Sequence, residues 1–351
     1  NDADWLLSQY ISSFARTLDP HSDFMSPREM EDFAINMRLS LVGIGAMLSP
    51  EDGAAKIVRL IPGGPAELDG RLKPGDKIVA VGQEGEDPVD ILHWPLSRTV
   101  QLIRGEKGSE VTLNIVPVSD VTGSTMKQIT LVRDEVRLEE RAARSRVETV
   151  TDPGGVERRL AVITIPDFYA DMQGKMAGDG GARSVTADVR ALLEDLVESG
   201  IDGIVIDLRS NGGGALDEAV DLTGLFIESG PVVQVRSRFG EPRMLYDTNT
   251  DLLYDGPLVV MVNRLSASAS EILAGALKDY GRAIIVGDSK THGKGTVQAL
   301  MNLHTARPDL GSLKLTTARF YRIAGGSTQL KGVSSDIVVP SLLEYMEVGE
   351  E

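Results

Sequence analysis

The chain has 351 residues, of which 42% are hydrophobic and 25% charged, the composition of a soluble globular protein of about two or three domains. Its net charge of −16 argues against non-specific binding to nucleic acid or to an anionic membrane surface. The absence of cysteine excludes a disulfide scaffold, a thiolate metal site and a thiol nucleophile. No apolar run reaches the length of about 18 residues that a transmembrane helix requires.

Residues 1–37 have the mixed polar and apolar pattern of a helical segment, with a break at residues 18–22, where a proline fixes φ and lacks an amide donor. Ser26, Pro27 and Glu29 follow with the spacing of a capping box whose first helical residue is proline. We therefore predict that a second helix begins at Pro27.

Residues 38–118 consist of short β-like runs separated by turns rich in glycine and proline. One helix is predicted at residues 95–103, because Leu96, Val100 and Ile103 fall on one helical face. This part of the chain predicts a compact β-rich module.

A run at the start of this module combines glycines with apolar residues: Leu41, Val42, Gly43, Ile44 and Gly45. A glycine-bearing loop that enters an edge strand can bind a peptide's C-terminal carboxylate through backbone N–H groups, and the peptide then adds as an extra strand. Taken alone, the run is more typical of an ordinary β-turn.

The pattern changes again from about residue 160, after a connecting β segment at residues 119–159. Strands are predicted at residues 160–166, 201–208, 257–262 and 283–287. Helices are predicted between them at residues 184–198, 215–227 and 269–280. Strand–helix alternation implies crossover connections, so residues 160–351 predict a core with a largely parallel sheet. The predicted fold class is multidomain α/β, with an inserted β-rich module and an N-terminal helical segment.

The run at residues 263–271 carries Ser266, Ser268 and Ser270 between a predicted strand and a predicted helix. A serine at such a turn projects above the sheet edge, close to the free N–H groups and partial positive charge of a helix N-terminus. A helix N-cap is the commoner role of one serine, but three alternating serines exceed what a cap needs.

A nucleophilic serine needs a base, and Lys294 is the candidate among residues 293–296. A buried lysine can lose its charge and accept a proton, although lysine in a turn is more often a surface residue. The run at residues 212–214 is three glycines before a predicted helix, where free N–H groups can hold an oxyanion. A glycine-rich tight turn is the simpler alternative.

Several motifs in a fixed order carry a resemblance to a known family: residues 18–22, 40–45, 64–66, 73–79, 207–214, 266–271, 293–298 and 325–329. In these motifs the chain resembles the carboxyl-terminal processing peptidases over essentially its whole length. The pairing of Ser-Ala-Ser-Ala-Ser-Glu with Gly-Lys-Gly-Thr-Val-Gln is its most specific part. The resemblance implies that residues 38–118 are a PDZ domain and residues 160–351 the protease core.

The resemblance implies a Ser/Lys dyad in which Ser268 is the nucleophile and Lys294 the base. It implies that Gln298, one helical turn after Lys294, orients the lysine, that Asp279 is a supporting acidic residue, and that His292 is a loop residue rather than a catalyst.

It further implies an oxyanion hole formed by the N–H of Ala269 and by Gly213 or Gly214. In the PDZ domain, residues 41–45 and Val100 are expected to bind the peptide.

The implied function is that of a serine endopeptidase that recognises protein C-termini and processes or degrades extracytoplasmic proteins. The implied partners are protein substrates with apolar C-termini and an adaptor or lipoprotein, with no metal or other cofactor. We expect a periplasmic location, and expect the signal peptide and further segments of a longer chain to lie outside the printed sequence. The sequence does not indicate an oligomeric state.

A PDZ scaffold and a nucleotide-dependent enzyme are the two alternatives to a protease. A non-enzymatic PDZ scaffold with a vestigial protease domain would lack a dyad member, and both members are present. A nucleotide-dependent enzyme would need the phosphate-loop pattern G-x-x-x-x-G-K-[ST], which residues 287–296 fail in two places.

Overall fold

The computed structural model describes residues 3–120, 125–249, 251–303, 310–339 and 341–350. The chain divides into two compact units, which we name by their place in the sequence. The inner unit is residues 39–140, and the outer unit is residues 1–38 and 141–351, which flank it in the sequence. Within the described ranges, no helix has both the length and the hydropathy of a membrane span.

The N-terminal part of the outer unit contains α1 (Ala3–Arg16), β1 (Asp23–Met25) and α2 (Pro27–Arg38). The predicted capping box is confirmed, because the amide of Ser26 donates to the Glu29 carboxylate at 2.8 Å and the amide of Glu29 donates to Ser26 Oγ at 3.4 Å. The segment predicted as helical thus also contains a strand.

The described residues of the inner unit form these elements in chain order: β2 (Ser40–Gly43), β3 (Ala46–Glu51), β4 (Ala54–Leu60), α3 (Pro65–Asp69), β5 (Lys77–Gln83), β6 (Val89–Asp90), α4 (Leu96–Ile103), β7 (Glu110–Val116), β8 (Lys127–Val132) and β9 (Asp134–Arg137). The main sheet has the order β3-β4-β5-β7-β8, which leaves β3 at an edge, and β2 pairs separately with β9. The unit extends past the predicted boundary at residue 118 because β8 and β9 complete these two sheets.

A buried arginine fixes the C-terminal end of α4 in the inner unit. Arg133 is 2% exposed, and its guanidinium donates to the carbonyls of Leu102 and Ile103 at 3.0 and 2.8 Å and to Gln83 Oε1 at 2.6 Å. The last carbonyls of a helix have no partner within the helix, and these bonds satisfy them together with the one that Gln83 Nε2 donates to the Leu102 carbonyl at 2.9 Å. Burial lowers the pKa of Arg133. No motif in the sequence singles out Arg133.

The rest of the outer unit contains these elements in chain order: β10 (Arg144–Thr151), β11 (Glu157–Thr164), α5 (Met172–Met176), α6 (Val185–Glu198), β12 (Gly203–Asp207), α7 (Leu216–Gly224), β13 (Gly230–Ser237), β14 (Arg243–Asp247), β15 (Leu258–Val262), α8 (Ala269–Asp279), β16 (Ile284–Gly287), β17 (Thr296–Asn302), β18 (Ser312–Tyr321) and β19 (Ile337–Val338). One sheet has the order β10-β11-β12-β15-β16-β19, and its strands are parallel from β11 to β19. The predicted α/β fold with a largely parallel sheet is confirmed.

A second sheet of the outer unit has the order β1-β18-β13-β14, and β17 pairs with β18. Strand β1 reaches β18 from almost 300 residues away in sequence, with Phe24 opposite Leu313. The N-terminal segment is therefore part of the same unit as the α/β sheet.

The parallel sheet brings the ends of β12, β15 and β16 to one edge. Asp207 pairs with Met261, and Val262 pairs with Gly287, so the three strands end side by side. Ligand sites in such sheets lie beyond the carboxyl ends of the strands. Three segments follow these three ends: the glycine turn (residues 208–215), the serine turn (residues 263–268) and the lysine loop (residues 288–295).

Candidate active site

Ser268 lies at the N-cap of α8, directly after the turn that follows β15. Its φ of 56° lies in the left-handed region, which is strained for a residue other than glycine and costs about 1–3 kcal/mol. The backbone carbonyl of Ser268 accepts from the amides of Glu271 and Ile272 at 2.9 and 3.0 Å. A strained serine at a strand-to-helix turn is the geometry of an activated nucleophile.

The other two serines of the run hold this turn in place. Ser266 Oγ donates to the carbonyl of Leu208 at 2.8 Å, and Ser270 Oγ donates to the carbonyl of Asn211 at 3.0 Å. Both serines are completely buried, whereas Ser268 is partly exposed. The alternation of serines thus separates two structural hydroxyls from the one that a substrate can reach.

A single buried carboxylate joins the serine turn to the lysine loop. Glu271 is fully buried, and its Oε2 accepts from the amides of Ser268 and Lys294 at 2.8 and 3.0 Å. Its Oε1 accepts from the amide of Gly293 at 2.8 Å and from Thr291 Oγ1 at 2.6 Å. Burial raises the pKa of Glu271 to about 7. In the sequence Glu271 is only the last residue of the serine motif, because three of its four partners lie 20 to 23 residues away.

Lys294 is partly buried on the loop between β16 and β17. Burial, followed by the nearby charge of Lys314, lowers the pKa of Lys294 below the ordinary lysine value. The carbonyl of Lys294 accepts from Thr328 Oγ1 at 2.8 Å, which fixes the backbone at this point. A lysine with a lowered pKa is able to act as a proton acceptor.

Asn211 connects the glycine turn to the serine turn. Its carbonyl accepts from the amide of Ala267 at 3.0 Å, and its Oδ1 accepts from the amide of Gly213 at 2.8 Å. The N–H of Gly213 is therefore occupied. The amides of Gly214 and Ala269 have no acceptor among the described residues.

Gly213 also packs directly against Ser268. A Cβ at Gly213 would lie 2.8 Å from Ser268 Cβ and 2.9 Å from the amide nitrogen of Ala269, and its φ is 103°. No residue with a side chain fits at this position without displacing the serine turn.

Gly213→Ala is expected to lower kcat/KM for the peptide-bond hydrolysis that the family resemblance implies by about 10²-fold, because the added methyl displaces Ser268. Gly212→Ala is the matched control, since a Cβ there meets no atom within 4 Å and Gly212 does not have a positive φ. Steady-state hydrolysis by the two variants and the wild type makes the comparison, with thermal unfolding as a check on folding. Wild-type activity in Gly213→Ala would contradict this role.

Gln298 does not lie one helical turn after Lys294, because residues 296–302 form strand β17. The side-chain Nε2 of Gln298 donates to Thr296 Oγ1 at 2.9 Å and to Thr316 Oγ1 at 3.1 Å. Thr316 Oγ1 in turn donates to Asp19 at 2.8 Å, which ties the motif at residues 18–22 to the same strand pair. The prediction of a helix here was wrong because pairing with β18 decides the local structure.

Asp279 and His292 have structural contacts. Asp279 is the last residue of α8, at the opposite end from Ser268, and forms a bidentate ion pair with Arg322. The amide of His292 donates to the carbonyl of Ser266 at 3.0 Å, and burial lowers the pKa of its ring.

The peptide-binding run of the inner unit divides between a strand and a connection. Leu41, Val42 and Gly43 lie in β2 and pair with β9, so they are not part of the edge strand. Ile44 and Gly45 form the connection into edge strand β3, and Gly45 has a φ of 74°. The amides of these two residues have no acceptor among the described residues.

Val100 lies partly buried on α4, the helix that packs against β3. The connection at residues 44–45 thus leads directly into β3, the strand beside α4. We call the surface along which β3 and α4 lie side by side the β3–α4 groove.

Sequence comparison assigns this arrangement to a family. Residues 159–339 match peptidase family S41, and residues 33–116 match the PDZ domain. The first match covers more than half of the chain, and the chain therefore belongs to peptidase family S41, a family of serine peptidases. The expected resemblance is confirmed.

Named relatives are proteases that act at protein tails or C-termini. The chain is 44% identical to the tail-specific protease of Haemophilus influenzae over 99% of its own length, and it spans 48% of that relative. It is 33% identical to the carboxy-terminal-processing protease of Bartonella bacilliformis, over 95% of this chain and 69% of the relative. The solved structure of the photosystem II D1 C-terminal processing protease aligns with a TM-score of 0.52 and 26% identity, over 96% of this chain and 83% of that chain. The chain thus spans about half the length of the Haemophilus protein.

Proposed function

We propose that the chain is a serine endopeptidase that binds protein C-termini through its PDZ domain and cleaves them with a dyad of Ser268 and Lys294. The observation that carries the proposal is the Glu271 carboxylate, whose single oxygen Oε2 accepts from the backbone amides of both dyad residues. This contact holds the two turns together although 26 residues separate them in sequence.

The proposed reaction begins when neutral Lys294 Nζ takes the proton of Ser268 Oγ and the oxygen attacks the scissile carbonyl carbon. The N–H groups of Ala269 and Gly214 stabilise the negative oxygen of the tetrahedral intermediate. Gly213 is not the donor in this scheme, because its N–H donates to Asn211.

Collapse of the intermediate breaks the C–N bond, and Lys294 returns its proton to the leaving amine. A water molecule then loses a proton to Lys294 and attacks the acyl-enzyme ester. The bond between Ser268 Oγ and the acyl carbon breaks, Lys294 gives the proton to Ser268 Oγ, and the new C-terminus leaves. Gln298 supports the strand that follows Lys294, and Asp279 supports α8 through Arg322. Neither is proposed to contact the reacting atoms.

In the proposed PDZ site, the amides of Ile44 and Gly45 bind the substrate carboxylate and the substrate adds as a strand to β3. Val100 contacts the apolar C-terminal side chain. The family resemblance also supports a periplasmic location and presentation of substrates by an adaptor or lipoprotein.

Cleavage of a reporter protein tests both parts of the proposal. We expect a reporter ending in an apolar residue with a free carboxylate to be cut about tenfold faster than the same reporter ending in aspartate, because a charged side chain does not enter the apolar groove. Ser268→Ala should cut neither reporter, and mass spectrometry of the products reads the new C-termini. Turnover by Ser268→Ala would contradict the assigned nucleophile. Binding without turnover by the wild-type chain would favour the PDZ scaffold instead.

A further inference from the structure

A cavity of about 220 Å³ lies in the inner unit at the end of the β3–α4 groove that contains Pro50, away from Ile44 and Gly45. It is lined by buried Ala54, Ala55 and Ile91 and by Leu96 of α4. Ala55 pairs with Pro50 and shares its face of the sheet, so its small side chain leaves space that a larger one would fill. The cavity is thus an apolar recess that opens beside the edge strand.

Two contacts fix the walls of this recess. The amide of His93 donates to the carbonyl of Gly53 at 2.7 Å, and the His93 ring packs so closely that a Cβ at Gly53 would lie 2.5 Å from it. On the adjacent wall, the Arg98 guanidinium lies 3.7 Å from the centre of the Trp94 ring. The quadrupole of an indole ring attracts a cation at this distance. Contacts therefore fix the positions of both the His93 ring and the Trp94 ring.

The position of the recess along β3 determines which substrate residue meets it. A strand that adds antiparallel to β3 with its carboxylate at residues 44–45 places its last residue opposite Ala46 and runs toward Pro50, which lines the recess. Ala46 and Pro50 are four residues apart, about 14 Å along a strand. We count the last residue of the peptide as position 0. The residue opposite Pro50 is then four residues upstream of it, at position −4.

The alternation of a strand agrees with this register. Side chains at even offsets from the last residue point to the same face as the last side chain, and those at odd offsets point to the opposite face. A C-terminal side chain that enters the groove beside Val100 thus places the side chain at position −4 on the recess side. Positions −3 and −5 face away.

We propose that the recess is a second specificity subsite that takes an apolar side chain, aliphatic or aromatic, at position −4 of the bound C-terminal peptide. This inference rests on the proposed binding of substrate C-termini by the PDZ domain. The domain would then read two features of a substrate, its free apolar end and an apolar residue one strand length upstream. A substrate with an apolar end alone would bind more weakly.

The test is fluorescence anisotropy with the full chain carrying Ser268→Ala and a labelled peptide that ends in a free apolar residue. Leucine at position −4 is expected to bind about tenfold more tightly than alanine, since it buries several more methyl and methylene groups. The same leucine-to-alanine change at −3 or −5 should leave the Kd unchanged. Ala55→Leu, which fills the recess, should abolish the preference at −4.

The outcomes separate the subsite from the proposal on which it rests. Equal affinity for leucine and alanine at −4, or a preference at −3 or −5 instead, would overturn the subsite. A peptide with an amidated C-terminus tests the carboxylate site alone, and unchanged binding of that peptide would overturn the proposed C-terminus recognition. The peptide series does not depend on the folding of Ala55→Leu, so the subsite remains testable without that variant.

Discussion

Lys294→Ala is expected to reduce kcat for peptide-bond hydrolysis by about 10³-fold, because the variant has no group to take the proton of Ser268. Lys294→Arg is expected to be equally inactive. Arginine keeps the positive charge but does not lose its proton in proteins, so it distinguishes a base from a purely electrostatic residue. Steady-state kinetics on an apolar-ended reporter measures both variants.

The pH dependence of the wild type provides an independent check on the same residue. The neutral lysine is the reactive form, so kcat should rise as the pH rises through the pKa of Lys294. Since burial lowers that pKa, the rise should come at a lower pH than for an ordinary lysine. Lys331→Ala, at an exposed lysine of the same unit, should leave the profile unchanged. An active Lys294→Arg enzyme would refute the assigned base.

Glu271→Gln is expected to lower both stability and activity, although the two side chains have nearly the same volume. Glu271 Oε2 accepts from two backbone amides, and Oε1 accepts from one backbone amide and from the Thr291 hydroxyl. Either orientation of the glutamine amide therefore turns its NH₂ group toward at least one buried N–H. Leaving such a donor unpaired costs about 1–3 kcal/mol. We expect the free energy of unfolding to fall by that amount, and kcat to fall with the loosened link between the two turns.

Urea unfolding at several pH values tests the same carboxylate. The pKa of Glu271 is raised by burial from 4.5 to about 7, so the folded state binds its proton more tightly than the unfolded state does. The stabilisation from this protonation is fully present below about pH 4.5 and is lost as the pH rises through about 7. Glu271→Gln should remove this part of the pH dependence, whereas Glu228→Gln, at an exposed glutamate, should retain it. Identical pH profiles for the wild type and Glu271→Gln would contradict the raised pKa.

Local pattern was enough to predict much of the fold. The alternation of apolar strands with amphipathic helices predicted the parallel sheet, because parallel strands need crossover connections. Ser26, Pro27 and Glu29 predicted a helix start, because a capping box is closed by residues three apart. These features depend on neighbours that are close in the chain.

The details of the candidate site depend on residues that are distant in the chain. Ser268 is singled out because Ser266 and Ser270 donate to carbonyls 58 and 59 residues away. Gln298 lies on a strand because β18 pairs with it, and no helical periodicity near Lys294 could overrule that pairing. Of the two glycines predicted to donate to the oxyanion, Gly213 already donates its N–H to Asn211 Oδ1. This contact depends on the fold of the turn.

Residue types and their order along the chain were sufficient to identify the family, the α/β architecture and the pair of Ser268 and Lys294 as candidates, because motifs and periodicity are properties of short segments. The tertiary structure revealed the buried Glu271 carboxylate between the two turns, the contacts of Arg133 at the C-terminal end of α4 and the recess beside Ala55. Each of these arises where segments far apart in sequence exclude water together. Burial changes both the hydrogen bonding and the pKa of a group, and the pattern of one segment does not contain the atoms that bury it.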